Sequence, residues 1–386
     1  MDQRNNSHIP FALPDIDDDE INEVVKCLKS GWLTTGPLTK KFEEQFAAFL
    51  NVKHALAVNS GTAGLHLSLE ASGIKKGSKV ATSVYTFTAT AEVIRYLQAD
   101  PVFVDIDPDT LNINANQLIE TIDRNTSAII PVHIGGQACD MEAITSIADQ
   151  LKLKIIEDAA HAIPSSYKGK KIGQIGDCTV FSFYVTKPIA TGEGGMVVTN
   201  SDQIAERIRV MRLHGINRDI WNRYRDNKPN WYYEVIEPGF KYNMPDLMAA
   251  IGIHQLKKAE RMQKRRQKIA RRYDEAFMNL PLKRPYVADT EDTHAWHLYV
   301  IQLYLERISI SRDEFIEKMA EKGIGTSVHF IPLHLHPYWR DRYGLSSEEF
   351  PVASDCYRRA VSLPIYSKMT DDHVEQVMKA VKEILG

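Results

Sequence analysis

Between about residues 53 and 200, short apolar runs rich in β-forming residues alternate with stretches of helical character. The apolar runs are continuous and do not alternate with polar residues, as expected for strands covered on both faces. Strands that alternate with helices in this way favour an α/β domain built on a mainly parallel sheet. The predicted strands cover residues 54–58, 79–84, 101–105, 128–132, 153–157 and 179–183. Helices are predicted from residue 62 and over residues 86–97.

The character of the sequence changes after about residue 252. The stretch "QLKKAERMQKRRQKIARRYDEAF" predicts an exposed helix leading out of the first domain, and the remainder mixes strand-like "HLYVIQLYL" with helical segments such as "RDEFIEKMAEKG". With 386 residues available, we predict a large domain over residues 12–255, a smaller α+β domain over 256–386 and an N-terminal arm over 1–11. The basic run 257–272 resembles a nucleic-acid patch, but charged runs without interleaved aromatic residues are typical of a solvated helix face, which we favour.

Charge and composition argue against several classes of protein. A formal net charge of −3 argues against a protein that binds polyanions. The first ten residues, "MDQRNNSHIP", lack the apolar core of a signal peptide, and no apolar run is long enough to span a bilayer. The cysteines lie far apart without a CxxC pair, which is typical of a reduced cytoplasmic chain and gives no indication of a zinc site or disulfide framework. They are Cys27, Cys139, Cys178 and Cys356.

Open parallel sheets bind ligands at the carboxyl ends of their strands, so candidate sites are sought directly after each predicted strand. After the first strand, "NSGTAGLHLSL" runs through Ser60, Gly61 and Thr62 into a helix. Glycine lets the backbone approach a ligand closely, and the free N–H groups of a first helical turn attract anions, so this segment predicts a phosphate site. An ordinary helix N-cap is the alternative. The segment is neither a GxGxxG nor a Walker A motif, so neither a nicotinamide nor a nucleoside-triphosphate site is supported.

Aromatic and acidic side chains follow two other strands. Phe87, in "YTFTAT", can lie on a flat ring, although a buried core phenylalanine is the commoner case. Asp158 follows "KLKIIE", with His161 three residues further on. A carboxylate enclosed at a strand end is costly unless it meets a cation or hydrogen-bond donors, which makes Asp158 a candidate functional acid. Capping of the next segment is the structural alternative.

A single lysine follows the last predicted strand, in "SFYVTKPIATGEGG". Enclosed by apolar and small residues, Lys187 loses hydration, and burial lowers the pKa of an amine and makes it a nucleophile. The glycines beside it allow a tight turn. A lysine with an apolar stem and a solvated head is the structural alternative.

No single feature decides, but together they match one ligand. A phosphate site at a strand end, an aromatic ring, a buried carboxylate and an enclosed lysine are the parts needed to hold pyridoxal 5'-phosphate (PLP). The carboxylate keeps the ring nitrogen protonated so that the ring can act as an electron sink. The lysine holds the cofactor and then moves the proton as general base or acid.

At this point the chain resembles the DegT/DnrJ/EryC1/StrS family of sugar aminotransferases, within the fold-type-I (aspartate aminotransferase-like) PLP enzymes. The resemblance runs nearly end to end, and its most specific parts are "NSGTAGLHL", "VHIGGQACDM", "IIEDAAHA", "FSFYVTKPIATGEGG" and "GFKYNMPDLMAAIGIHQL". It implies a large domain with a mainly parallel central sheet and a smaller α+β C-terminal domain.

The resemblance also implies roles for individual residues. Lys187 carries PLP, Asp158 pairs with the ring nitrogen, and His161 lies by the ring hydroxyl. Phe87 stacks on the ring, and the phosphate is bound by Gly61, Thr62 and Ser182. In this family an asparagine of the neighbouring subunit completes the phosphate site; Asn243 is the candidate here, which implies a homodimer with shared active sites.

The sequence departs from the family pattern in two places. Many members read "NYRM" where this chain reads "KYNM", so the asparagine lies two places later. Many members have asparagine after the lysine, where this chain has Pro188, which lacks a backbone donor. Relatives that act as 3-dehydratases replace the lysine with histidine, so the presence of Lys187 favours transamination.

Substrate contacts are predicted from two further segments. The loop "GWLTTGP" is the candidate N-terminal part of a sugar pocket, through Trp32, Thr34 and Thr35. The segment "GTSVHFIPLHLH" contains three histidines, but it is broken by proline and has no cysteine or clustered carboxylate. We therefore predict no metal site and, by resemblance, place His329 near the substrate.

The resemblance implies transfer of an amino group from glutamate to a nucleotide-linked keto sugar. "VHIGGQACDM" with "DAAHA" is more similar to the branch that acts at C4, often on UDP sugars, than to the C3 branch. That branch serves bacterial surface-polysaccharide or lipopolysaccharide biosynthesis. The alternatives are a 3-keto sugar or a cyclitol or antibiotic-type substrate in the same family, or a catalytically silent relative with a regulatory or scaffolding role. An NAD-linked dehydrogenase suits the α/β pattern but lacks its fingerprint.

Overall fold

The computed structural model describes residues 8–217, 232–287 and 291–386. Its central feature is a seven-stranded sheet in the order β1-β9-β8-β5-β4-β2-β3. Strand β9 runs antiparallel to both of its neighbours and the other pairs are parallel, so the predicted α/β fold with a mainly parallel sheet is confirmed. The strands are β1 (His54–Val58), β2 (Lys79–Ser83), β3 (Asp100–Val104), β4 (Thr126–Ile130), β5 (Lys154–Asp158), β8 (Cys178–Ser182) and β9 (Gly195–Thr199), and a small hairpin consists of β6 (Ser166–Tyr167) and β7 (Lys170–Lys171).

Helices cover both faces of this sheet. They are α1 (Asp18–Ser30), α2 (Pro37–Leu50), α3 (Gly61–Ala71), α4 (Ala89–Tyr96), α5 (Ala115–Thr121), α6 (Met141–Leu151), α7 (Asp202–Met211) and α8 (Asp246–Ala276). Along β1, Leu56 and Val58 pack in one core cluster with α3, α4 and α7, whereas Ala57 packs in another with α2 and α8. Because both faces are buried, the strands are apolar at successive positions, which accounts for their continuous apolar sequence.

The C-terminal part forms a second core around a three-stranded antiparallel sheet. Its elements are β10 (Leu282–Lys283), β11 (Tyr299–Leu303), α9 (Arg312–Glu321), α10 (Pro337–Tyr343), α11 (Pro351–Arg359), β12 (Ala360–Leu363) and α12 (Asp371–Leu385). Of the predicted arm, residues 1–7 lie outside the described residues, and Ile9 is buried in this second core. The predicted boundary at residues 255/256 falls within α8, whose last turns pack in the second core, so the division into 12–255 and 256–386 stays a prediction.

Helix α8 has the solvated basic face expected over residues 257–272, where Lys257, Arg261, Lys264, Lys268 and Arg271 are exposed, but the helix is not exposed all round. One face of its 31 residues is buried, and that face includes Arg266, which is 3% exposed, and Gln263. Lys258 is also largely enclosed and pairs with Glu20 at 2.6 Å. The apolar positions at helical spacing placed this face against the protein, and the charges between them masked that pattern in the sequence. Within the described ranges, no helix is both long and apolar enough to cross a membrane.

Candidate active site

The carboxyl ends of the parallel strands border a cleft of about 580 Å³. Strand ends and the start of α3 form one wall, and Ser327, His329 and Phe330 of the C-terminal part contribute to another. A cleft of this size at this edge of an α/β sheet is a typical small-molecule site. The residues predicted from the sequence that line it are Gly61, Thr62, Phe87, Asp158, His161, Ser182, Lys187 and His329.

Close backbone packing creates the first part of the cleft, at the start of α3. Ser60 caps this helix by accepting a hydrogen bond from the Ala63 N–H at 3.1 Å. A Cβ atom on Gly61 would lie 3.1 Å from Cβ of Ser182, so glycine lets the end of β8 approach the first helical turn. On β9, a Cβ on Gly195 would come within 2.7 Å of the Ser60 backbone. The two glycines therefore bring the Ser182 hydroxyl next to free helical N–H groups, an arrangement suited to an anion.

Asp158 ends β5 and is 6% exposed. Its two carboxylate oxygens accept separate hydrogen bonds, one from Thr90 Oγ1 at 2.8 Å and one from the Ala160 N–H at 3.1 Å. Burial raises the pKa of this carboxyl, while the two donors and the positive charge of Lys187 oppose that rise. An enclosed carboxylate beside an amine at the bottom of a cleft is the arrangement expected of a functional acid.

His161 is buried and its ring is held by a backbone donor. The Gly135 N–H donates to Nδ1 at 3.3 Å. Burial, with the positive charge of Lys187, holds the pKa of His161 well below its ordinary value, so the ring is neutral. Because Nδ1 accepts, the ring proton lies on Nε2, which leaves His161 a hydrogen-bond donor on that side.

Lys187 lies in a turn after β8, where its N–H donates to the Tyr184 carbonyl at 2.8 Å. Its side chain is partly buried at the cleft. Burial lowers the pKa of the Lys187 amine from its ordinary value of 10.5 to about 8, against the attraction of Asp158. About a tenth of this amine is therefore neutral at pH 7, far more than for an ordinary lysine, and the neutral form is the one that a nucleophile or general base requires.

Aromatic rings line the open side of the cleft. Phe87 is 59% exposed and its ring centroid lies 5.9 Å from that of Phe330. The alternative of a buried core phenylalanine is therefore wrong for Phe87. His329 packs against Phe11 at 5.3 Å, and its Nδ1 lies 2.9 Å from Ser362 Oγ. Burial lowers the pKa of His329 to about 4, so this ring is also neutral.

Asn243 and the Trp32–Thr35 loop do not line the cleft of their own chain. They form one cluster elsewhere, which we call the Asn243 cluster: Trp32, Thr34, Thr35 and Asn243. Asn243 Nδ2 donates to Thr35 Oγ1 at 2.6 Å, and Trp32 Nε1 donates to the Thr35 carbonyl at 3.2 Å. Thr34 accepts from the Asp246 N–H at 3.2 Å, which attaches the loop to the start of α8. These residues were predicted as parts of one site, and the structure brings them together with one another.

Several residues of the cleft were missed in the sequence analysis. Phe11, Thr90, His297 and Phe330 all line it. Thr90 is the last residue of the quoted "YTFTAT" stretch, three residues after Phe87, and its hydroxyl directly after a predicted strand was an available signal. His297 packs against His161 with ring centroids 4.4 Å apart, and it lies at the start of the quoted "HLYVIQLYL" run.

The histidines of the "GTSVHFIPLHLH" segment point in different directions. His334 is buried against Phe350 and bonded to Ser354, away from His329 at the cleft. Across the described residues, no group of three or more His, Cys, Asp or Glu side chains is placed to hold a metal ion. The cleft is built for an organic ligand with an anionic group.

The residues present fit PLP. The start of α3 with Ser182 suits its phosphate, the exposed ring of Phe87 suits its planar ring, and Asp158 with Lys187 provides the acid and the amine. An α/β fold with these groups at its strand ends defines a fold-type-I PLP-dependent aminotransferase. The model of the DegT/DnrJ/EryC1/StrS aminotransferase family matches residues 14–382, and the chain belongs to this family.

Individual relatives agree with this assignment. The chain is 50% identical over 387 residues to the spore coat polysaccharide biosynthesis protein SpsC of Bacillus subtilis, covering 100% of this chain and 99% of that protein. The PLP form of the putative sugar aminotransferase Spr1654 of Streptococcus pneumoniae has a TM-score of 0.89 at 30% identity and covers 98% of this chain and 100% of its own. Helicobacter pylori PseC, an aminotransferase involved in pseudoaminic acid biosynthesis, has a TM-score of 0.90 at 28% identity. The match covers 98% of this chain and 99% of the PseC chain. The protein is a PLP-dependent sugar aminotransferase of this family.

Proposed function

We propose that this enzyme transfers an amino group from glutamate to the C4 ketone of a UDP-linked keto sugar. The observation that carries the chemistry is the partly buried amine of Lys187 at a cleft that also contains the buried Asp158. The C4 position and the UDP carrier rest on the similarity of "VHIGGQACDM" and "DAAHA" to the C4 branch. The roles of SpsC in spore coat polysaccharide biosynthesis and of PseC in pseudoaminic acid biosynthesis support a role in building carbohydrate, which we propose to be surface polysaccharide or lipopolysaccharide.

Each cleft residue has a role in this proposal. PLP, when bound, supplies the electron sink that transamination requires. Gly61, Thr62 and Ser182 would hold its phosphate, Phe87 its ring face, and the neutral His161 would donate to its ring hydroxyl. Asp158 would keep the ring nitrogen protonated. Lys187 would hold the cofactor, and its Nζ would take up and return the proton at the reacting carbon.

Substrate contacts come from two sources in the proposal. His329 is a neutral ring at the open side of the cleft, suited to hydrogen bonds with a sugar hydroxyl. The Asn243 cluster would reach the cleft of a second subunit, since it does not line its own. In that homodimer, Asn243 completes the phosphate site and Trp32, Thr34 and Thr35 approach the sugar. We also propose a cytoplasmic reaction, in keeping with four buried, unpaired cysteines.

A substrate panel tests the proposed reaction. With glutamate as donor, a UDP-4-keto sugar is expected to yield 2-oxoglutarate with kcat/KM about 100-fold above that for a TDP-3-keto sugar, because a site matched to one ketone position leaves its polar groups unpaired with the other. The Lys187→Ala variant is the blank. Turnover of only TDP-3-keto sugars would remove the C4 assignment. Turnover of only cyclitols would favour the antibiotic-type alternative.

Mixed dimers test whether Asn243 acts on the partner. Lys187→Ala and Asn243→Ala chains, each expected to be impaired alone, are unfolded, mixed in equal amounts and refolded. If Asn243 acts on the neighbouring subunit, each heterodimer contains one site without either substitution, and the mixture should regain about one quarter of wild-type activity by statistical pairing. If Asn243 acts within its own chain, the mixture contains no intact site and its activity per total protein stays at the mean of the two variants.

A further inference from the structure

Two buried threonine hydroxyls lie behind Asp158. Thr90 Oγ1 donates to Asp158 Oδ2 at 2.8 Å, and Thr86 Oγ1 lies 2.9 Å from Thr90 Oγ1. Thr90 is 1% exposed and Thr86 is 2% exposed. Both residues line the cleft, at either end of the turn that carries Phe87. The arrangement is a short chain of hydroxyls that ends on the buried carboxylate.

The charge on Asp158 fixes the direction of this chain. A hydroxyl has a single proton, so when Asp158 is ionised the proton of Thr90 is committed to Oδ2. Thr86 must then donate to Thr90, and the two O–H dipoles point the same way, toward the negative charge. When Asp158 carries a proton, it can donate to Thr90 and the chain can reverse. Aligned hydroxyls in an enclosed site strengthen one another and therefore favour the ionised acid.

The same stretch connects the acid to the rest of the cleft. Phe87 follows Thr86 directly and presents its exposed ring to the cleft. Tyr85, the residue before Thr86, donates a hydrogen bond from its hydroxyl to the backbone carbonyl of His329 at 2.6 Å. Tyr85, before Phe87, and Thr90, after it, are thus both hydrogen-bonded. These bonds fix the position of the Phe87 ring relative to the Asp158 carboxylate.

We infer that Thr90, supported by Thr86, is a positioning residue for the reaction: it holds Asp158 ionised and correctly oriented toward the ring nitrogen of PLP. This rests on the role proposed above for Asp158. Other charged or titratable groups act on Asp158 as well, namely Lys187 and His133, and the adjacent Glu157 is a further carboxylate. The hydroxyl chain is the component that a single isosteric substitution can remove, leaving those groups in place.

A purely structural role for Thr90 is the competing account, since it lies in the first turn of α4. Thr82 provides the matched control. It is likewise a fully buried threonine, and its hydroxyl donates to the Ile130 carbonyl at 2.9 Å, with no contact to Asp158. Thr82→Val therefore removes a comparable buried hydrogen bond and leaves the acid untouched.

The test compares Thr90→Val, Thr90→Ser, Thr86→Val and Thr82→Val in the full-length protein. Three readouts are used: the Kd of PLP for the apoprotein by fluorescence titration, the pH titration of the visible absorption of the PLP-loaded protein, and kcat and KM for glutamate. Loss of a hydrogen bond to a charged group predicts that Thr90→Val raises the Kd and lowers kcat by about 10- to 100-fold, with KM little changed. Loss of the weaker neutral bond in Thr86→Val predicts about a 2- to 10-fold effect.

The outcomes separate the two accounts. Rescue by Thr90→Ser, together with a shifted absorption titration in Thr90→Val and wild-type values in Thr82→Val, supports the positioning role. If Thr90→Val differs from wild type only in Tm, as Thr82→Val should, Thr90 is structural and the inference is wrong. If Thr90→Val does not fold, the decision rests on Thr90→Ser, which keeps the hydroxyl. A loss of PLP affinity in Thr90→Ser that equals or exceeds the loss in Thr86→Val would also show that the inference is wrong. If glutamate fails to react even with wild type, the proposed donor is wrong, and the Kd and absorption comparison still decides the role of Thr90.

Discussion

In the Lys187→Ala variant, borohydride is expected to fix no cofactor covalently to the protein, because the nucleophilic amine is lost. The transamination rate is expected to fall roughly a thousandfold, because the general base is lost as well. PLP should still bind without a covalent bond, because the start of α3, Ser182, Phe87 and Asp158 are unchanged. The measurement is a visible absorption spectrum before and after borohydride, followed by peptide mapping. Lys318→Ala, an exposed lysine on α9, is the control and should behave as wild type.

The same substitution, which lowers the activity, should raise the thermal stability of the apoprotein. Burial lowers the pKa of the Lys187 amine from 10.5 to about 8, so between these pH values the unfolded chain binds more protons than the folded one. The cost of burying the charged amine is therefore fully present below pH 8 and disappears as the pH rises toward 10.5. Apo Lys187→Ala should be more stable than apo wild type at pH 7, and the gap in Tm should narrow by pH 9.5. A gap that widens with pH would contradict the burial of a charged amine.

The sheet and its strand ends were predictable because buried parallel strands have a simple sequence pattern. Short runs that are apolar at every position and bounded by turn residues are typical of such strands, and β1 was predicted at its observed limits. The chemistry then follows from topology, since Thr62, Asp158 and Lys187 each lie at or just after the carboxyl end of a strand, and these strand ends border one cleft. Their proximity in space follows from the sheet, although they are far apart along the chain.

The start of α4 shows where local pattern fails. The sequence predicted a helix from residue 86, but the helix begins at Ala89. Residues 85–88 are held instead by long-range bonds, including Tyr85 to His329 and the indole of Trp339 to Thr88. Those partners lie more than 240 residues away, so no local propensity records them. That departure from regular helix is what exposes Phe87 to the cleft.

Two other features were hidden for different reasons. Phe11 and Phe330 reach the cleft from segments with no helical or strand period, and His297 comes just before a strand, so nothing in the sequence distinguished these residues from core or loop residues. In α8, the buried face is spaced between charges, and the excess of Lys and Arg outweighed the apolar pattern. Arg266 itself donates through Nε to the Ala295 carbonyl at 3.0 Å, a buried role that composition does not indicate.

Asp158→Asn should separate folding from chemistry more cleanly than any other substitution at the site. The amide oxygen can accept from the Ala160 N–H, and the amide NH2 can donate to Thr90 if the Thr86–Thr90 hydroxyl pair reverses. The side chain thus keeps its partners and its shape. The charge that holds the ring nitrogen protonated is lost, so kcat should fall about 10²- to 10³-fold, as for removal of other preorganised electrostatic groups.

The stability of the Asp158→Asn apoprotein, in contrast to its kcat, should not fall. Burial raises the pKa of the Asp158 carboxyl, so its protonated form favours folding, and that contribution is lost as the pH rises through the folded-state value. At pH 7 the apo Asp158→Asn protein should be at least as stable as apo wild type. Asp105→Asn is the matched control: Asp105 follows β3, is 2% exposed, and accepts from the N–H groups of Ile106, Val352 and Ala353.

The two variants should therefore show opposite patterns. Asp105→Asn replaces an acceptor with a donor among backbone N–H groups, which predicts a loss of about 1–3 kcal/mol of unfolding free energy with kcat close to wild type. Asp158→Asn should keep a Tm close to that of wild type and have a much lower kcat. Thermal unfolding and glutamate-dependent turnover, measured on the same preparations, give both quantities. If Asp158→Asn kept wild-type kcat, or lost as much stability as Asp105→Asn, Asp158 would be a structural cap, because only a role in the chemistry makes the charge matter when the hydrogen bonds are preserved.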